Sequence, residues 1–100
     1  MTYRVRLVRR AVRDVEEARD WYERQRAALG DDFGAALDAL LSKLVERPFA
    51  WPVWPPDPLL RRAHLSRFPY SVLFRVASDV IEIVAVVHQR QRPGAWAERK

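Results

Sequence analysis

Apolar and polar positions alternate with period two from Tyr3 to Val8. Tyr3, Val5 and Leu7 fall on one side and Arg4 and Arg6 on the other, which predicts a half-buried strand. From about Arg10 the period lengthens. Val12, Val15, Ala18, Tyr22 and Arg26 recur at steps of three and four, the stripe of a helix. Its opposite face carries Arg13, Glu16, Glu17, Asp20 and Arg24, with Arg13–Glu17 and Asp20–Arg24 spaced as i,i+4 ion pairs. Gly30 is then read as a left-handed stop, and Asp31 or Asp32 as the cap of a second helix. That helix has the stripe Phe33, Leu37, Leu40, Leu41 and Leu44 and ends at Pro48. Two helices joined so closely form an antiparallel hairpin, each needing its stripe buried.

Five of the seven prolines lie between Pro48 and Pro58, around Trp51 and Trp54. Proline lacks an N–H and fixes φ, so this run predicts an extended connection across the end of the core, neither helix nor central strand. Strand patterns return afterwards. Arg61 to Leu65 is short and basic. Tyr70, Val72, Phe74 and Val76 alternate with Ser71, Leu73 and Arg75, and Ala77-Ser78-Asp79 makes a tight turn. Val80 to His88 is the most continuously apolar stretch and predicts an interior strand covered on both faces. The order is β-α-α-β-β-β, an α+β fold with a helical hairpin packed on a mainly antiparallel sheet. One domain accounts for residues 1–100.

Composition narrows the chemistry. The chain has no cysteine, which excludes disulfides and thiolate chemistry and fits a reducing compartment. The longest nearly apolar run, Val80 to Val87, is interrupted by Glu82 and is too short to span a membrane. The start MTYRVRLVRR lacks a signal-peptide core, so the expected location is cytoplasmic. The formal charge is +5, unevenly divided. Residues 1–50 hold 10 Lys and Arg against 9 Asp and Glu, whereas residues 51–100 hold 8 against 4. Arginine, which grips phosphate or carboxylate with a planar fork, accounts for 16 of the 18 cations, so the partner is acidic: nucleic acid or an acidic protein surface.

No strong catalytic motif is present. The three glycines build no phosphate loop, the two histidines no multi-histidine metal site, and no cofactor is expected. His88, entering the run HQRQRPGAW, reads either as an acid or base flanked by Arg90 and Arg92 or as a hydrogen-bonded strand end. Arg61, Arg62, Arg67, Arg75, Arg90 and Arg92 lie on three neighbouring strands or their ends, as a positive patch or an arginine-rich solvated face. Trp51 and Trp54 are placed to stack bases, to receive a partner's side chains or to plug the core.

The order of elements and the segment Arg67-Phe68-Pro69-Tyr70-Ser71-Val72-Leu73-Phe74-Arg75-Val76 resemble the RelE/ParE family of bacterial type II toxins. The resemblance extends to Arg10-Ala11-Val12-Arg13-Asp14 at the first helix and to the pair Trp21-Tyr22. It continues through Glu46-Arg47-Pro48 and Leu60-Arg61-Arg62 to the tail residues His88, Arg92, Pro93 and Trp96. It implies a small toxin held inactive by a cognate antitoxin with an acidic segment, the complex reaching operator DNA through the antitoxin. It implies a target as well: DNA gyrase for a ParE-like member, the ribosome and its mRNA for a RelE-like endoribonuclease. The Phe68-Pro69-Tyr70 strand looks more ParE-like, and no tyrosine follows Val87. A RelE-like enzyme would use His88, Arg75 and Arg90 as its catalytic set. Arg61, Arg62, Arg67, Arg92 and Trp96 are the residues expected to bind antitoxin or target. A basic nucleic-acid-binding module is the reading from another class.

Overall fold

The computed structural model describes residues 2–90. Strand β1 (Arg4–Leu7) leads into α1 (Arg9–Gln25) and α2 (Leu29–Glu46). A 3-10 turn at Pro48–Ala50 precedes β2 (Val53–Trp54), β3 (Asp57–His64), β4 (Tyr70–Ala77) and β5 (Val80–His88). The five strands form one sheet in the order β1-β5-β4-β3-β2. Among the described residues only β1, beside β5, runs parallel to its neighbour; the other pairs are antiparallel. The helical hairpin covers one face, and Phe33, Leu37, Leu40 and Leu44 of α2 meet Val72, Phe74, Ile81, Ile83 and Val86 there. A smaller cluster of Trp54, Leu60, Leu73 and Ala85 lies on the other face.

Strand β5 is interior, as its apolar run predicts, but it is not regular. Leu73 pairs with Ala85 and Phe74 with Ile83, so Val84 is an extra residue, a β-bulge. The bulge exchanges the faces: Ile81, Ile83 and Val86 all join the helix-side core.

Five local expectations are corrected. The buried line of α1 is Ala11, Asp14 and Ala18, whereas Val12 is 42% exposed and Arg26 lies beyond the helix. The stripe sits one position from the hydrophobic pattern because a carboxylate occupies a core position. The left-handed residue of the hairpin is Ala28, with φ 70°, whereas Gly30 is buried inside α2. Neither Asp31 nor Asp32 caps α2; Glu23 of α1 accepts the Ala28 and Gly30 N–H groups at 2.9 and 3.0 Å. Arg13–Glu17 and Asp20–Arg24 form no ion pairs among the described residues; instead Arg19 of α1 and Arg26, just past its end, pair with Asp31 and Asp32 of α2. Finally, the proline-rich connection does contribute a strand. Among the described residues β2 pairs on one side only, with β3, so its flanking prolines leave no ladder donor missing.

Candidate functional site

Two regions gather the residues of chemical interest, on opposite faces of the sheet. On the face away from the helices, Arg6 of β1, Glu82 of β5 and Arg75 of β4 stand in register across three adjacent strands. Glu82 is 7% exposed and joins both guanidinium groups, one carboxylate oxygen to Arg6 and the other to Arg75 Nε at 2.7 Å. Arg4 reaches Asp79 at 3.6 Å on the same edge. Arg62 is exposed and has no ion pair among the described residues. The face is basic, yet two of its arginines are committed to one buried carboxylate. At its far end His64 Nδ1 lies 2.7 Å from Ser71 Oγ and 3.2 Å from Gln89 Nε2.

On the helix side, a cleft of about 810 Å3 opens between α1 and the adjoining ends of β4 and β5. Its walls include Trp21, Tyr22, Tyr70 and His88; Asp14, Glu17 and Arg90 supply the charges. Tyr22 and Tyr70 have ring centroids 6.1 Å apart, and Tyr70 stands edge-on to His88 at 5.2 Å. Burial raises both phenol pKa values, and Tyr22, Asp14 and Glu17 add to the rise at Tyr70. Both hydroxyls therefore stay protonated at neutral pH. His88 Nδ1 accepts the Arg90 N–H at 3.1 Å, which places the proton of a neutral imidazole on Nε2.

The residues singled out in the sequence therefore separate. His88 and Arg90 line the cleft together. Arg75 does not join them: it opposes Glu82 on β4, five positions from Tyr70, the partner of His88, and faces the other way. Arg61 donates to the Trp51 carbonyl at 2.6 Å and the Phe49 carbonyl at 3.5 Å, so it pins the proline-rich segment. Arg67 is exposed in a left-handed turn, φ 73°, with its guanidinium 5.9 Å from the Phe68 ring centroid. Arg92 and Trp96 lie outside the described residues. Among the described residues no group of His, Asp or Glu is arranged to hold a metal, and no helix is long and apolar enough to cross a membrane.

Sequence reading alone misses the roles of Arg6 and Glu82. Their signal was a charge in the middle of an apolar strand, which demands partners. Trp21 was read only as half of a family pair, and its 50% exposure is what opens the cleft wall.

The family profile for the ParE toxin of the type II toxin–antitoxin system parDE matches residues 5–93. Among solved structures, the chromosomal ParDE toxin–antitoxin system from P. aeruginosa is similar, with TM-score 0.67 and 21% identity, covering 87% of this chain and 96% of that one. A RelBE toxin–antitoxin complex from Mycobacterium tuberculosis is similar with TM-score 0.62 and 18% identity, covering 88% and 99%. At such identities the likeness is one of fold. No curated protein matches the chain.

Proposed function

The chain belongs to the ParE toxin family of type II toxin–antitoxin systems, and from that premise we propose that it acts by binding DNA gyrase, without cutting RNA. The observation that carries this reading is the separation of Arg75 from His88. A nuclease built on these residues needs a proton-transfer group and a phosphate-stabilising cation within reach of one phosphodiester. Here the imidazole faces the helix-side cleft, and the guanidinium is bonded to Glu82 on the opposite face. On this reading the protein is not an enzyme.

The neutralising partner is a cognate antitoxin with an acidic segment, and operator DNA is reached through it. Two observations support that partner. The related folds come from toxin–antitoxin complexes, and the open sheet face carries Arg4, Arg6, Arg62 and Arg75 against Asp79 and Glu82. Such a surface attracts an acidic segment that folds as it binds. The site of action is the cytoplasm, where gyrase and the antitoxin meet it.

Induction in cells tests the target. Filamentation and a DNA-damage response, with intact mRNA and loss of supercoiling by purified gyrase, are the expected results. Ribosome-dependent mRNA cleavage with undisturbed gyrase would replace this reading by the endoribonuclease one.

A further inference from the structure

The helix-side cleft is unused by the function proposed above, and its chemistry is specific. At about 810 Å3 it lies in the range of small-molecule sites, which span roughly 300–1,000 Å3. Its walls are aromatic, and Trp21 presents half of its surface on an otherwise charged helix. Its charges are of both signs. Glu17 has no ion pair among the described residues, and Asp14, beside it in the lining, is joined to Arg10 and to the Val86 N–H. Arg90 supplies a cation where β5 ends.

This combination selects against simple ligands. A bare cation meets Arg90, with Arg10 behind Asp14. An acidic side chain meets Glu17. A flat ring finds stacking surfaces. A ligand that is aromatic, carries paired N–H donors and ends in an anion satisfies every group. Guanine fits best among the bases, because its pairing edge offers two adjacent N–H donors to the two oxygens of one carboxylate, whereas adenine, cytosine and uracil offer only one donor group each.

We propose that the cleft is a guanine-nucleotide site, with the base against Trp21 and Tyr70, its donor edge on the Glu17 carboxylate and its phosphate at Arg90. The high phenol pKa values of Tyr22 and Tyr70 agree with this, since both hydroxyls remain neutral hydrogen-bonding groups beside the base. The site lies on the opposite side of the sheet from the open basic face.

Titration of the full chain with GMP, AMP, CMP and guanosine, followed by the Trp21 indole N–H and the Val86 amide in heteronuclear NMR, tests the proposal. GMP is expected to shift both signals saturably and to bind about tenfold more tightly than AMP or CMP, the worth of one charge-assisted hydrogen bond. Glu17→Gln should erase the preference for guanine, and Arg90→Ala should bring GMP down to the affinity of guanosine while leaving guanosine unchanged. Both residues are exposed, so neither substitution removes a core contact. A guanine-containing tetranucleotide assigns the source: tighter binding than GMP points to a strand, equal or weaker binding to the free nucleotide. Absence of saturable shifts with GMP, equal binding of the three nucleotides, or a guanine preference that survives Glu17→Gln would each overturn it.

Discussion

The carboxylate of Asp14 accepts the backbone N–H of Val86 at 2.9 Å, a buried bond between residues 72 positions apart. The bond has a topological cause. β1 ends at Leu7, opposite Ile83, and the chain turns away into α1. β5 continues to His88, so among the described residues its outward-facing amide beyond Ile83 has no strand beside it. A side chain from the first turns of α1 takes the place of the missing strand. It also explains why a carboxylate with only 6% exposure stands in the apolar line of that helix.

Removing that acceptor leaves a buried amide unpaired, and Arg10, the ion partner of Asp14 at 3.8 Å, loses its carboxylate. Asp14→Ala should cost about 1–3 kcal/mol, and Asp14→Asn, which keeps an acceptor oxygen, clearly less. Urea unfolding gives the stabilities. Hydrogen exchange identifies the site: the Val86 amide should lose protection in Asp14→Ala before the rest of β5 does.

Glu82 invites a double-mutant cycle. Either Arg6→Ala or Arg75→Ala leaves the carboxylate one guanidinium partner, and with more than half of each arginine side chain exposed the single losses should be about 0.5–1 kcal/mol. Removing both strands a nearly buried carboxylate, at a cost of about 3–5 kcal/mol. The double variant should therefore fall well below the sum of the single ones. Additive losses in denaturant titrations would show that Glu82 reaches water without the arginines.

Much of this fold was legible in the sequence, and the exceptions share one origin. β1, the α2 stripe, the Pro48 stop and the interior position of β5 follow from periodicity, because each is a local pattern of burial. The α1 stripe was misplaced at Asp14, whose burial depends on an amide 72 residues away. β2 escaped because two residues between prolines carry no period. The bulge at Val84 had the largest effect on the site. In a regular strand Glu82 and His88, six positions apart, would share a face, and Arg75 would lie over the same surface as His88. One inserted residue turns His88 to the helix side. Patterns of residue type do not encode such an insertion, so the catalytic trio drawn from the sequence is divided in space.

The cap on α2 predicts a pH dependence. Backbone donation from Ala28, then Gly30, lowers the Glu23 pKa below its ordinary value, and Arg19 and Arg26 add to the effect. The ionised carboxylate is thus favoured in the folded chain. Its contribution is present above the unfolded-state pKa and is lost as pH falls through the folded one. Glu23→Gln, a neutral isostere, should be less stable than the parent at neutral pH. The gap should close as the pH falls below the ordinary glutamate range and the parent carboxyl protonates. Unfolding midpoints of the two proteins across that range check the sign, and a constant gap would contradict it.

Two glycines in the same helix should respond to alanine in opposite directions. In an exposed helix either substitution gains about 1 kcal/mol of propensity. At Gly30 the new Cβ would stand 2.7 Å from the backbone carbonyl oxygen of Arg19 and 3.0 Å from the capping Glu23 oxygen. A backbone atom cannot step aside, so α1 and α2 must separate and the cap must loosen. Overpacking of this kind costs about 1–3 kcal/mol and outweighs the propensity gain. At Gly34 the nearest atoms are Nη1 and Cζ of Arg19, at 3.1 and 3.2 Å, the far end of a flexible side chain. Arg19 can shift at the cost of weakening its exposed pair with Asp31, which is worth little. Thermal unfolding should therefore show Gly30→Ala melting below the parent and Gly34→Ala above it, with the helix content of both variants unchanged.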